Sequence, residues 1–144
     1  MTLVDTNILL YATFTDAPEH ARAREWLERE IADPDAAVAL CWPVTYAFVR
    51  LASSRRVFGA AALSVAGAWE VSAALHAQPG VRIVVAGARH RAIAAELAST
   101  PGLGTDDVPD IELAALAIEH GLVLASHDAG FRRFAALRTT DPIA

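Results

Sequence analysis

Met1-Thr2-Leu3-Val4-Asp5-Thr6-Asn7 opens the chain, and its reading decides the fold. Leu3-Val4 suits a short buried strand, and Asp5, the first charged residue, stands where that strand must end. In an open parallel sheet, ligands bind beyond the carboxyl ends of the strands, so an acid directly after the first strand sits where such folds place chemistry. Two further acids in Asp-bearing turns, Asp110 and Asp128, lie towards the other end of the chain. Three carboxylates far apart in sequence are therefore expected at one sheet edge. Close like charges with oxygen ligands attract a hard divalent cation such as Mg²⁺ or Mn²⁺.

Working outward from that strand, Asn7 to Phe14 reads as a first helix. Ala17 to Ile31 reads as an amphipathic second one, with Ala23, Trp26, Leu27 and Ile31 on its apolar side. Ala36 to Cys41 is an apolar run between breakers and predicts a strand. Helices follow from Val44 to Ser53 and from Ala60 to Ala77, the latter ended by Pro79-Gly80. Val81 to Ala86 is the next strand, Arg89 to Ala98 the next helix, and Leu103 to Asp107 a loop. Ile111 to His120 is apolar nearly all round, hence a buried helix, closed by Gly121. Leu122 to Ser126 predicts a strand, Gly130 to Phe134 a helical turn, and Leu137 to Thr139 a last strand. This alternation implies βαβ units: an α/β fold with a central parallel sheet and helices on both faces.

At 144 residues the chain has the size of one domain with a core of its own, spanning 1–144. It is 54 % hydrophobic, yet Arg, Glu, Pro or Gly interrupts every apolar stretch before the roughly 20 residues of a membrane span. Nothing at the N-terminus resembles a signal peptide. Cys41 is the sole cysteine, so intramolecular disulfides are excluded, and the cytoplasm is the expected compartment. The net charge of −5 argues against a broad basic footprint for nucleic acid. All 12 basic residues are nevertheless Arg, and several cluster: Arg50 with Arg55 and Arg56, Arg89 with Arg91, Arg132 with Arg133. Arginine grips phosphate bidentately where lysine acts as a point charge.

Each acid also has a structural role open to it. Asp5 suits the N-cap of the first helix, Asp107 with Pro109 and Asp110 resembles a capping arrangement, and Asp128 suits the cap of the turn through Phe134. All three follow strands, however, and in a parallel sheet those ends share one edge.

At these residues the chain resembles the PIN-domain nucleases, most closely their VapC-type toxin members. The matching blocks are Val4-Asp5-Thr6-Asn7-Ile8-Leu9-Leu10-Tyr11, Phe48-Val49-Arg50-Leu51-Ala52-Ser53, Val108-Pro109-Asp110-Ile111-Glu112-Leu113-Ala114-Ala115-Leu116-Ala117 and Ser126-His127-Asp128-Ala129-Gly130-Phe131-Arg132-Arg133-Phe134, with Asp141-Pro142 near the end. The resemblance implies a PIN-like three-layer fold and a ribonuclease using Mg²⁺ or Mn²⁺. Asp5, Asp110 and Asp128 would be its acids, with Asn7, Ser126 and Asp107 supporting them. A metal on Asp5 and Asp110 would polarise the scissile phosphate and activate a water, and Asp128 would hold a second ion or orient that water. The resemblance also implies a VapB-like antitoxin partner, docking where Phe14 and Trp26 are candidates, an RNA substrate and a homodimer.

Two positions depart from the family pattern. Ala47 stands where many relatives carry Glu, and Gly130 where relatives often carry Asp. Asp106 or Asp107 is placed to compensate, whereas Glu112 should point away from Asp110. Arg50, on the helical face of Ala47, is a candidate RNA-phosphate contact or a partner for the acids. His127 is a turn residue within reach of substrate, and Trp26, Trp42, Trp69 and Phe58 are expected in the core. A catalytically weakened PIN-fold module that binds RNA or a partner is the alternative function. A phosphatase with an aspartyl nucleophile ranks lower, because Asn7 replaces its second Asp.

Overall fold

The computed structural model describes residues 1–144. Five short strands are β1 (Thr2–Val4), β2 (Val38–Leu40), β3 (Val81–Ile83), β4 (Val123–Ala125) and β5 (Arg138–Thr140). They form one sheet in the order β3-β2-β1-β4-β5, every neighbour pair parallel. The helices are α1 (Thr6–Thr13), α2 (His20–Ala32), α3 (Trp42–Ala52), α4 (Arg55–Phe58), α5 (Val65–His76), α6 (His90–Ala98) and α7 (Val108–Glu119).

The chain steps outward from β1 through β2 to β3, then returns through α6 and α7 to β4 on the other side of β1. With right-handed crossovers this reversal puts α1 to α5 over one face and α6 with α7 over the other. The three-layer architecture expected from the strand–helix alternation is thus the one present. The reversal also places a topological switch between β1 and β4, the point at which such sheets open a crevice beyond their carboxyl ends.

Burial explains why three-residue strands suffice. Leu3, Val4, Val38, Ala39, Leu124 and Ala125 have no exposed surface, and one hydrophobic cluster of 31 buried residues runs through both layers. In α7, Leu113 to Ala117 are all buried, as its all-round apolar sequence requires. Gly121 follows at φ +65°, a left-handed conformation that closes the helix without the Cβ penalty other residues meet. The Glu119 carboxylate accepts bonds from the Gly87 and Arg89 amides, at 2.7 and 2.9 Å, and ties α7 to the loop before α6.

The helix expected over Ala60 to Ala77 starts later than its apolar sequence suggests. A short turn covers Gly59–Ala61, and Ser64 caps α5 by accepting from the Gly67 amide, so the helix runs only from Val65 to His76. Before it, α4 is capped by Ser54, which accepts from the Val57 amide, and Gly59 turns the chain at φ +56°. The helix expected from Ile111 begins earlier, at Val108, with Pro109 in its first turn, where a missing N–H costs nothing.

The expected core position of two tryptophans is also corrected. Trp26 is buried, but Trp42 and Trp69 are 42 % and 41 % exposed, and Tyr46 between them is 63 % exposed. In α3 the inward face is filled by Val44, Thr45, Phe48, Val49 and Ala52, which leaves Trp42, Tyr46 and Arg50, four residues apart, on the outer face. No single helix is long and apolar enough to cross a membrane.

Gly80 marks the tightest backbone approach. A Cβ there would lie 2.4 Å from the Ile31 carbonyl oxygen at the end of α2. Gly80→Ala is expected to lower unfolding stability by about 1–3 kcal/mol, as overpacking against backbone does. Chemical denaturation of the two proteins measures it.

Candidate active site

The parallel pairing of β1 with β4 sets Val4 level with Ala125, and the Asp5 amide donates to the Ala125 carbonyl at 2.9 Å. The next residues on the two strands, Asp5 and Ser126, are therefore neighbours at the switch point. The Ser126 hydroxyl donates to Asp5 Oδ2 at 2.6 Å and accepts from the Asp128 amide at 3.0 Å and the Asn7 side-chain amide at 3.3 Å. Ser126 is buried, so its one hydroxyl ties the start of α1 to the turn after β4 away from water. Asn7 in turn accepts from the His127 amide at 3.3 Å.

Asp5 caps α1 as well, its Oδ1 accepting from the Thr6 amide at 2.7 Å. Asp128 caps the turn Ala129–Arg133, accepting from the Gly130 amide at 2.8 Å. The structural roles available to these two acids are real and coexist with their placement at the edge. Asp107 and Asp110 behave differently from a capping pair. Asp107 closes its own short turn by accepting from the Gly104 amide at 2.7 Å, and Asp110 lies in the first turn of α7 without capping it.

One residue joins these two acids, and in the sequence it stands out only as half of the Arg132–Arg133 pair. A single nitrogen of Arg133, Nη2, donates to Asp110 Oδ2 at 2.9 Å and to Asp107 Oδ1 at 3.1 Å. Its spacing from Asp128 in the last block was the available signal. The guanidinium carbon stands 4.9 Å from the centre of the Phe134 ring, which supports it from below.

The electrostatics follow from this layout. Burial raises the Asp5 carboxyl above its ordinary value, against the lowering effect of the Ser126 and Thr6 bonds, and the charges of Asp110 and Asp128 raise it further. Burial also raises Asp110, with Asp128 and Asp107 adding to the rise and Arg133 opposing it. The three acids thus feel one another, although no three acidic, histidine or cysteine side chains stand close enough to share a single ion as they lie. The donor chemistry suits Mg²⁺ or Mn²⁺: hard oxygens, mutually repelling and partly desolvated.

The other sequence candidates fall as follows. Arg50 is exposed on α3 and makes no ion pair with the acids. Ala47 is half-buried on a helix that carries no acid, and Glu112 faces solvent. His127 Nδ1 meets Asp141 Oδ2 at 2.9 Å, which gives the terminal Asp-Pro peptide a role at the site that its sequence did not disclose. Cys41, at the end of β2, is buried and its thiol is pushed up to about 11, so it is an inert neighbour.

The site is thus a central acid on a parallel sheet, held by a buried serine, with two more acids near the same switch point of an α/β scaffold. The chain belongs to the PIN domain family, which it matches over residues 2–137. It is 37 % identical to Ribonuclease VapC33 of Mycobacterium tuberculosis over 143 residues, covering 99 % of each chain. It is 38 % identical to Ribonuclease VapC43 of the same organism, covering 99 % of this chain and 96 % of that one. Its fold is similar to the structure of VapBC-1 from nontypeable Haemophilus influenzae, with TM-score 0.71 at 16 % identity over 99 % and 98 % of the two chains.

Because the folded state holds the Asp5 and Asp110 protons more tightly than the unfolded chain does, metal-free stability declines as pH rises from the ordinary carboxyl value of 3.8 through their raised values. Asp5→Asn removes one of these charges and keeps a partner for Ser126. The metal-free variant is expected to be more stable than wild type at neutral pH, with a flatter decline above pH 4. Urea melts across that range decide it, and a variant weaker than wild type at neutral pH would assign the control to hydrogen bonding rather than charge.

Proposed function

We propose that this chain is a metal-dependent endoribonuclease, the toxin of a toxin–antitoxin pair. The observation that carries the reading is the Asp5 carboxylate held by Ser126 at the switch point, with Asp110 and Asp128 near enough to raise its proton affinity. The ribonuclease relatives at 37 % and 38 % identity over the whole chain support the activity.

Asp5, Asp110 and Asp128 would hold Mg²⁺ or Mn²⁺, which when bound polarises a phosphate and makes an adjacent water a nucleophile near neutral pH. The chain's own residues supply the rest. Ser126 and the Thr6 amide fix both oxygens of Asp5, so its orientation is set before substrate arrives. Asn7 holds the His127 backbone and thereby the turn that carries Asp128. Arg50, exposed and unpaired, is available to an RNA phosphate. The alternative of a catalytically weakened module rests on Ala47 and Gly130 and is separated by the same assay.

The partner surface is a groove of about 760 Å³ between α2 and α5, floored by α1, α3 and β2 and lined by Leu9, Leu27, Ile31, Phe48, Val71 and Leu75. An apolar groove of this form suits the apolar face of a helix from a VapB-like antitoxin. Phe14 and Trp26, the sequence candidates for this contact, are both buried; Phe14 is stacked on Phe58 at 3.8 Å. Neither lines the groove. The exposed Trp42, Tyr46 and Trp69 face offers a surface for a second copy, since an isologous contact needs one self-complementary apolar patch.

Purified protein is expected to cleave RNA only with Mg²⁺ or Mn²⁺. Asp5→Asn or Asp110→Asn should reduce the rate at least about a hundredfold and remove most of the metal-induced rise in melting temperature. Cleavage surviving in both variants refutes this site.

Expression of the chain alone should slow growth, and the adjacent small protein should relieve it. Val71→Asp, on the exposed rim of the groove, should abolish relief without abolishing cleavage. Tyr46→Glu should shift the sedimentation of the protein from dimer to monomer.

A further inference from the structure

The acidic edge contains its own cation. Arg133 bridges Asp107 and Asp110 through one nitrogen, and its Nε is buried with no hydrogen-bond partner. A guanidinium placed for structural anchoring alone would be expected to use its fork, two nitrogens on two oxygens. Here Nη2 is drawn between two carboxylates at the expense of Nε, which is where a positive charge sits when it answers an electrostatic demand of the site.

Gly130 is what lets it reach. A Cβ on Gly130 would lie 2.8 Å from Arg133 Nη1 and 2.9 Å from Asp128 Oδ1. A side chain at 130 would therefore require the guanidinium or the Asp128 carboxylate to shift from these positions. With glycine at 130, the space beside Arg133 Nη1 is open and the guanidinium occupies it. As long as it stays, Oδ2 of Asp110 is occupied by Arg133 Nη2.

We propose that Arg133 is an internal counter-ion that competes with the divalent metal for Asp110, so that loading the site requires Arg133 to let go. The inference rests on the metal-dependent reading above. With metal absent, the guanidinium offsets the repulsion among Asp5, Asp107, Asp110 and Asp128; with metal present, that offset is redundant and the arginine gives up its bonds to the acids. Arg133 is a positioning residue, since it acts through Asp110.

The test is a calorimetric titration of Mn²⁺ into metal-free wild type, Arg133→Gln, Arg133→Met and Asp110→Asn, with metal-free melting temperatures alongside. Arg133→Gln should melt lower than wild type without metal yet bind Mn²⁺ about tenfold more tightly, the size expected for losing competition from one partly exposed charge-assisted pair. Arg133→Met, which removes the charge and keeps an apolar stem beside Phe134, should also bind more tightly. If Arg133→Gln does not fold, the Arg133→Met result decides alone. Unchanged or weaker binding in both arginine variants, with binding lost in Asp110→Asn, overturns the counter-ion and leaves the metal reading intact. Wild type that binds no Mn²⁺ at millimolar concentration overturns both.

Discussion

Everything at the acidic edge depends on the parallel pairing of β1 with β4. The register that aligns Val4 with Ala125 makes Asp5 and Ser126 adjacent although 121 positions separate them in the chain. Shifting the register by one residue would turn Leu3 and Val4 to the opposite faces and carry Asp5 away from the serine. The strands are only three residues long, so their backbone bonds alone cannot hold that register. It is held by burial of their side chains between two helical layers, with no exposed surface left on Leu3, Val4, Leu124 or Ala125.

On that frame the site is a problem of charge. Asp5, Asp107, Asp110 and Asp128 are gathered by strand ends and helix starts, positions chosen by topology and not by mutual attraction. Burial and proximity raise Asp5 and Asp110, and the backbone amides and the Ser126 hydroxyl recover only part of the cost. A cation is therefore required for the edge to be comfortable when ionised. Arg133 supplies one from within the chain, at a position made available by Gly130. The absence of a side chain at 130 leaves room for the counter-charge.

The outer helices show a second division of labour. On α3, the inward residues are spent on the core, so the outer row is free to carry Trp42, Tyr46 and Arg50. Between α2 and α5 the layer does not close, and Leu27, Ile31, Val71 and Leu75 line a groove instead of a seam. Two serine caps and Gly59 interrupt the chain between α3 and α5, and that interruption sets where α5 begins along the edge of the groove.

The strand–helix alternation, the buried character of α7, its closure at Gly121 and the place of Asp5 after β1 were legible in the sequence, because each depends on residues close together in the chain. Periodicity, breakers and caps are local physics, and the four motif blocks carried the family. Ser126 was legible as a support for Asp5 by its position after β4, whereas Asn7, in the first turn of α1, bonds Ser126 and the His127 amide and not an acid. Three things were not legible: that Arg133 would bridge Asp107 and Asp110, that Asp141 would hold His127, and that Trp42 and Trp69 would face solvent. The first two are contacts between separate segments whose meeting depends on side-chain reach in three dimensions. The third depends on how much apolar surface the other helices supply, since a large side chain is buried only where a facing layer covers it. Sequence determined what each segment is, and tertiary structure decided which charges must share a space, because the energy of a charge is set by its neighbours and not by its place in the chain.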